Sequence, residues 1–511
     1  MMRRSPNDHC PTVVAQKSVP SRDRKGAGAQ LLMTLCLGSM LSGCAIGPKY
    51  QRPDTPAPVA LKELAGNDQW KMATPSDGLL KGKWWEIFGD AELNRLEELV
   101  AANNQNVIQA EAQYRQARTM VIANHANYYP TIGSSPSITQ SRNFVEPTST
   151  TFSLPGTVSW EPDLWGRVRL SVENAAANAE VNAADLENIR LSQEALLATD
   201  YFLLAAQDMQ LKVLADTIES YAKNLKLTVD RHAGGVASRS DITLAQTQLA
   251  GAKAQFTDMR VARAQDEHAI AVLIGRPPSS LEIATTVIKG PPPPIPMGLP
   301  STLLERRPDI AASERQVAAA NANIGLAKTA YYPTLTLSAT PGFLASNLWN
   351  LLTYKNRSWS AGPGLSETLF DFGRRKAALA GAEAAYDATV AGYRQTVLSA
   401  FQEVEDDLAG LRYLAEEGGQ QQEAVTAAQE ALDLEMQRYR AGTDSYLNVI
   451  TTQIIALQDE QTAITILQRR MSAAVDLVKA LGGGWDRSAL PAQYKLLSQP
   501  VPTGGTAGSK Q

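Results

Sequence analysis

The chain has 511 residues, enough for several ordinary domains, with 44% apolar and only 6% aromatic side chains. Its formal net charge of −4 disfavours a nucleic-acid partner. Three cysteines, four histidines and no HExxH, P-loop, GxGxxG or GxSxG pattern offer little for metal, nucleotide or nucleophilic chemistry.

The first segment reads as a secretory signal over residues 1–43. Arg22, Arg24 and Lys25 precede an apolar stretch, "AQLLMTLCLGSMLSG", too short for a membrane span. It ends in "LSGC", which looks like a bacterial lipobox with Cys44 as the lipid-bearing residue. The expected modification is diacylglycerol plus palmitoyl on Cys44, with no other cofactor. Removing the signal takes away six basic and two acidic residues and leaves a net charge of −8. Cys44 is then the sole cysteine, so no disulfide forms within the mature chain. Ala45 after the cysteine is compatible with the outer membrane.

Residues 44–90 are expected to form a Pro-rich tether and an equatorial segment, with Asp90 capping a helix from Ala91. No proline occurs between Pro162 and Pro277, nor between Pro363 and Pro491. The 67 residues between Gly166 and Gly234 contain neither glycine nor proline. As one helix they would reach about 100 Å, which requires other long helices alongside. Leu211, Leu214, Ile218, Tyr221 and Leu225 form one coiled-coil seam. Leu447, Ile450, Ile454, Leu457 and Ile464 form another.

Short alternating stretches precede each long helix. Phe152, Leu154, Val158 and Trp160 share one face, as do Leu335, Leu337, Ala339 and Phe343, and then Trp359, Ala361 and Leu365. "TIGSSPSIT" from Thr131 is the faintest of the four. Such alternation marks outer-membrane β-strands. "YYPTI" at Tyr128 and "YYPTL" at Tyr331 open the two hairpins, where the tyrosines suit either an interfacial belt or helix-end packing.

The chain is therefore a tandem repeat. Repeat one covers 91–276, with a β-hairpin at about 131–162. A Pro-rich linker follows at 277–301. Repeat two covers 302–483, with a hairpin at about 334–367, and a tail occupies 484–511. The repeats are offset by 203 at the Tyr-Tyr-Pro motifs and by 207 from Trp165/Phe372 through Gly235/Gly442 to Gly275/Gly482. The difference of four is expected in the strands or surface loops. "EVEDD", with Glu403, Glu405, Asp406 and Asp407, reads as a solvated helix face rather than a catalytic pair.

Taken together, "LSGCAIGPKYQRP", "YYPT", "DLWGR", "LFDFGRR", "LPSTLLERRPDI", "YRAGTDSYLNVI" and "ALGGGW" resemble the outer membrane factor family, the TolC/OprM type, in its lipoprotein branch. The resemblance implies a mainly α fold with a membrane β-barrel part. A long coiled-coil α-barrel would join four β-strands per chain, making a 12-stranded barrel in a homotrimer. Open strand edges do not survive in lipid, so closure by several copies follows independently, though three and four copies are not distinguished by the residues. Expected partners are a periplasmic adaptor, an inner-membrane pump and outer-membrane lipid. The adaptor-docking tips would be Gly235, Val236, Ala237 and Ser238 with Gly442, Thr443, Asp444 and Ser445, where Ser238 and Ser445 are suited to cap the returning helices. Arg438 and Tyr439 match a periplasmic gate. Where several relatives carry acids, Asn448 and Thr451 stand here. The implied function is a passive exit duct for drugs or other small toxic compounds. A duct for polypeptides or metal ions, or a non-porous periplasmic scaffold, are the alternatives.

Overall fold

The computed structural model describes residues 46–55, 61–64, 82–142, 144, 148–295, 306–485 and 487–491. Cys44 and the signal lie outside these residues.

Repeat one begins with α1 (Ala91–Asn103) and α2 (Gln105–His125). Asp90 caps α1 by accepting from the N–H groups of Glu92 and Leu93. A sheet follows: β1 (Thr131–Ser134), β2 (Ser137–Ser141) and β3 (Ser149–Trp160). Then come the 67-residue α3 (Arg167–Ala233) and the returning α4 (Arg239–Leu273). Repeat two supplies α5 (Pro308–Thr329), β4 (Thr334–Ala345), β5 (Arg357–Ser366), the 68-residue α6 (Arg374–Ala441) and α7 (Tyr446–Ala480). From Arg167 to Arg374 and from Arg239 to Tyr446 the shift is 207 in both cases, so the helical hairpins match in place and length. The four extra residues lie at the far end of the hairpins, where β2 to β3 is joined by 142–148 and β4 to β5 by 346–356.

All the strands join one antiparallel sheet in the order β1–β3–β4–β5, with β2 also on β3. The first predicted strand is split at Ser135–Pro136, yet β1 and β2 keep one register on β3, with Thr131 opposite Ser159 and Ser137 opposite Ser153. Pro136 has no N–H to donate, which accounts for the break.

The register sorts the side chains by face. Ile132 pairs with Val158, Ile138 with Phe152, Leu154 with Phe343, Trp160 with Leu337, and Leu335 with Leu365, so every predicted apolar set falls on the same side. The other side carries Thr131, Thr139, Thr151, Ser153, Ser159, Thr336, Ser338, Thr340 and Ser360, with Leu344 a large apolar exception. One face suits lipid and the other water, as in a membrane barrel.

The main core lies midway along the long helices. Trp84, Leu93 and Leu96 pack there with Tyr201, Leu204, Tyr393, Val397, Leu477 and Val478, all at most 1% exposed. The linker belongs to this belt rather than merely spacing the repeats, since Ile283 and Ile295 are buried in it. Each returning helix ends against the start of its repeat in the same way. Asn104 Nδ2 donates to Leu273 O at 2.8 Å, and Arg307 Nη1 donates to Ala480 O at 3.0 Å. A Cβ on Gly275 would meet Asn103 O at 2.4 Å, and one on Gly482 would meet Arg306 O at 2.1 Å, so only glycine permits these approaches.

Two expectations need correction. The seam on α7 is rotated: Tyr446, Val449, Ile450, Gln453 and Ala456 are buried, while Leu447 and Ile454 are exposed. The helix packs on both α6 and α3, so its buried stripe is broader than a two-helix seam and centred elsewhere. The "EVEDD" group is also more than a solvated face. Glu403 pairs with Arg307 at 2.7 Å, and Glu405 accepts from the N–H groups of Lys62 and Glu63 at 2.7 and 3.0 Å. Burial, with Asp476 nearby, pushes the Asp407 carboxyl up to about 7.

Candidate functional site: hairpin tips and membrane rim

The α3–α4 and α6–α7 turns lie at the end of the molecule remote from the sheet. Both use a glycine at positive φ, 78° at Gly235 and 79° at Gly442. The closing bonds repeat as well: Val236 N donates to Arg231 O at 2.9 Å, and Thr443 N donates to Arg438 O at 3.1 Å. The caps differ. Ser238 Oγ accepts from Asp241 N at 3.1 Å while Asp241 Oδ2 accepts from Ser238 N at 2.9 Å, a full capping box. Ser445 makes no side-chain cap. Its place is taken by Asp444 Oδ1, which accepts from Ser445 N and Asn448 Nδ2, both at 2.7 Å. The Ser445 N–H holds the Asp444 carboxyl below its ordinary range. Gly235, Val236 and Ser238 are exposed, as are Gly442, Thr443 and Ser445, whereas Ala237 and Asp444 are half-buried.

The expected gate pair is separated. Tyr439 is only 3% exposed, and its ring lies 5.2 Å from that of Tyr446 between the two hairpins. Burial pushes the Tyr446 hydroxyl up to about 12. Arg438 points outward, 63% exposed, and pairs with Glu435 at 2.9 Å. Sequence reading assigned no role to Arg231, which joins the hairpins. Its Nη1 donates to the carbonyls of Tyr439 at 2.8 Å and Arg440 at 3.0 Å, and its guanidinium lies 4.6 Å from the Tyr439 ring centroid. The signal was present, since Arg231 stands at the repeat position of Arg438.

At the opposite end, helices meet strands. Asp163 caps α3 by accepting from Val168 N and Arg169 N, both at 2.9 Å. Trp165 stacks on Tyr332 with centroids 5.0 Å apart, and its Nε1 donates to Pro333 O at 2.7 Å. Trp160 Nε1 donates to Tyr128 O at 2.9 Å. The paired tyrosines thus divide their work: Tyr128 and Tyr332 pack at helix ends, while Tyr129 is 64% exposed. The tether runs from this rim back along α5. Asn321 Nδ2 donates to Pro48 O at 3.0 Å, the Tyr50 hydroxyl bonds the buried Glu314 carboxylate, and Arg52 Nε donates to Tyr393 OH at 3.0 Å. Among the described residues, no group of acids, histidines and cysteines could hold a metal ion.

Comparison with known proteins agrees with this architecture. The "Outer membrane efflux protein" family model matches residues 96–276 and 299–483, the two repeats. The probable efflux pump outer membrane protein TtgC of Pseudomonas putida is 30% identical over 464 residues, covering 89% of this chain and 96% of that protein. The pyoverdine export outer membrane protein OpmQ of Pseudomonas aeruginosa is 30% identical over 476 residues, covering 90% and 98%. The solved structure of the outer-membrane channel OprN superposes with a TM-score of 0.80 at 29% identity, covering 86% of this chain and all of that one. This is an efflux channel of the outer membrane whose helices extend into the periplasm, and the chain belongs to the outer membrane efflux protein family.

Proposed function

We propose that three copies close into one tunnel that serves as the passive exit duct of a tripartite efflux system for drugs, solvents or other small toxic compounds. The observation that carries this reading is the sheet: one face that gathers the large apolar side chains, with Ser134, Gln140, Thr150 and Arg357 among them, one hydroxyl face, and, among the described residues, two unpaired edges at β1/β2 and β5. Such edges require a neighbour in lipid, and a non-porous scaffold would have no use for a two-faced sheet. Family members are homotrimers working with efflux pump components. TtgC and OpmQ, by their names, serve efflux and pyoverdine export, which favours small molecules over polypeptides.

The adaptor and the inner-membrane pump supply docking and energy in this reading. The adaptor meets the exposed turns Gly235–Ser238 and Gly442–Ser445. Arg231 and Tyr439 hold the two hairpins of one chain together, and the outward Arg438 is placed to reach the next chain, so these side chains form the resting gate. Cys44 carries the lipid. It stands four residues before Pro48, at most about 14 Å of extended chain. Asn321, the donor to Pro48, lies about 12 Å from the end of α5 at Thr329, next to the membrane rim. The anchor can therefore reach the membrane rim.

A deletion strain tests the duct directly. Cells lacking the gene should retain a fluorescent pump substrate that parent cells expel, and plasmid-borne wild type should restore expulsion. Equal retention in parent and deletion cells, for every dye and drug class tried, would contradict an efflux role.

A further inference from the structure

The two repeats give each chain an approximate two-fold multiplicity, so three copies present six similar units around one axis. Within a chain, repeat one touches repeat two. Around a closed ring, repeat two must then touch repeat one of the next copy in a similar manner. We propose that this rule fixes the subunit seam: β5 pairs with β1/β2 of the next copy in a defined register, and Phe372 stacks on Tyr129 of the next copy at the membrane rim. The inference rests on the trimeric channel reading above.

The rim argument starts from a contact already made. Trp165 stacks on Tyr332 inside the chain. The repeat equivalent of Trp165 is Phe372, 207 residues on, and that of Tyr332 is Tyr129, 203 residues back. Both equivalents are outward: Phe372 is fully exposed and Tyr129 is 64% exposed. Among the described residues, Phe372 has no ring partner, and Tyr129 has only an oblique approach by His125 at 6.0 Å. Phe372 also holds φ at 54°, the sole positive value at a non-glycine among the described residues. A bulky side chain is disfavoured there, a strain that a contact outside the chain can offset.

The strand edges give an independent check. Inside the chain Trp160 lies opposite Leu337. Shifting each by its own repeat offset puts Glu367 opposite Ser134 of the next copy. Leu365 then faces Pro136, Pro363 faces Ile138 and Ala361 faces Gln140. Leu365 and Ile138 both belong to the apolar face. The derived register thus keeps that face continuous across the seam, whereas a slip of one residue would turn one copy's hydroxyls into lipid. The offsets were set by motifs outside the strands, so this parity was free to fail.

Cross-linking of the full-length protein in membranes tests both parts. Residues facing each other on neighbouring antiparallel strands have Cα atoms about 4.5–5.5 Å apart, within the roughly 4.4–6.8 Å that a disulfide spans. Ala361→Cys with Gln140→Cys, oxidised in membranes, should give linked dimers and trimers on a denaturing gel, while each single variant and the parent remain single chains. Phe372→Cys with Tyr129→Cys should give the same ladder with a short bismaleimide. Trp165→Cys with Tyr332→Cys should react within one chain and give no ladder. If native electrophoresis shows trimers but neither test pair links, the seam rule is overturned while the channel reading stands. If the strand pair links and the rim pair does not, the Phe372 stack is overturned. Absence of trimers overturns the channel reading and the inference with it.

Discussion

Arg231 binds the backbone of Tyr439 at 2.8 Å and covers its ring at 4.6 Å, so one side chain of the first hairpin grips the second. Hydrogen bonds to a charged group are worth about 1.5–3 kcal/mol each. Arg231→Ala should loosen the tips without preventing assembly. Expected are normal trimers on native electrophoresis and a higher single-channel conductance or open probability than the parent. Parental conductance in Arg231→Ala would show that the contact does not restrain the tunnel end.

Gly442 stands at a φ of 79° where L-residues are disfavoured, and a Cβ there would lie 3.7 Å from Arg231 Nη2. Gly442→Leu should abolish pump function while trimers persist, costing about 1–2 kcal/mol locally. Drug tolerance read on plates, beside a native gel, checks this. Undiminished tolerance in the Leu variant would count against docking at this tip.

Glu97 is fully buried, and neither carboxyl oxygen has a hydrogen-bond partner among the described residues. Burial, with Glu194 adjacent, pushes it up to about 10 from 4.5. The folded protein therefore keeps a proton that the unfolded chain releases above its ordinary carboxylate range. Stability from this group is complete below about 4.5 and falls as pH rises towards 10, by at most about 1.4 kcal/mol per pH unit. Glu97→Gln removes that loss. Its thermal midpoint relative to the parent should rise steadily between pH 5 and 9. A difference independent of pH would show that Glu97 is ionised in the fold.

Much of this was legible before the structure. The absence of glycine and proline placed the ends of α3, and the 207-residue repeat carried those ends to α6, which holds five glycines of its own. Period-two alternation found β3, β4 and β5, since lipid and water demand opposite faces. The rotation of α7 was not legible: Leu447 and Ile450 are equally apolar, and the choice between them depends on α3 as a third neighbour. Arg231 and Arg438 occupy the same place in their repeats, and only the arrangement of the hairpins decides which one reaches across to the other hairpin. Ser445 looked as good a cap as Ser238, but its own N–H goes to Asp444 Oδ1, where that of Ser238 goes to Asp241 three residues on, and its hydroxyl caps nothing.

The two faces of β4 supply another test. Thr336 and Ser338 belong to the hydroxyl face, Leu335 and Leu337 to the apolar one. Thr336→Cys should react with a charged, membrane-impermeant thiol reagent in reconstituted trimers and reduce current, while Leu337→Cys should not. Cys44, if acylated, contributes no background. The opposite pattern would invert the barrel.

Planar-bilayer recording on the purified full-length protein is the most direct measurement. Stable trimers inserting as uniform conducting units are the expected result. A water-soluble single chain that lacks β signal in circular dichroism and adds no conductance would contradict a shared tunnel through the outer membrane.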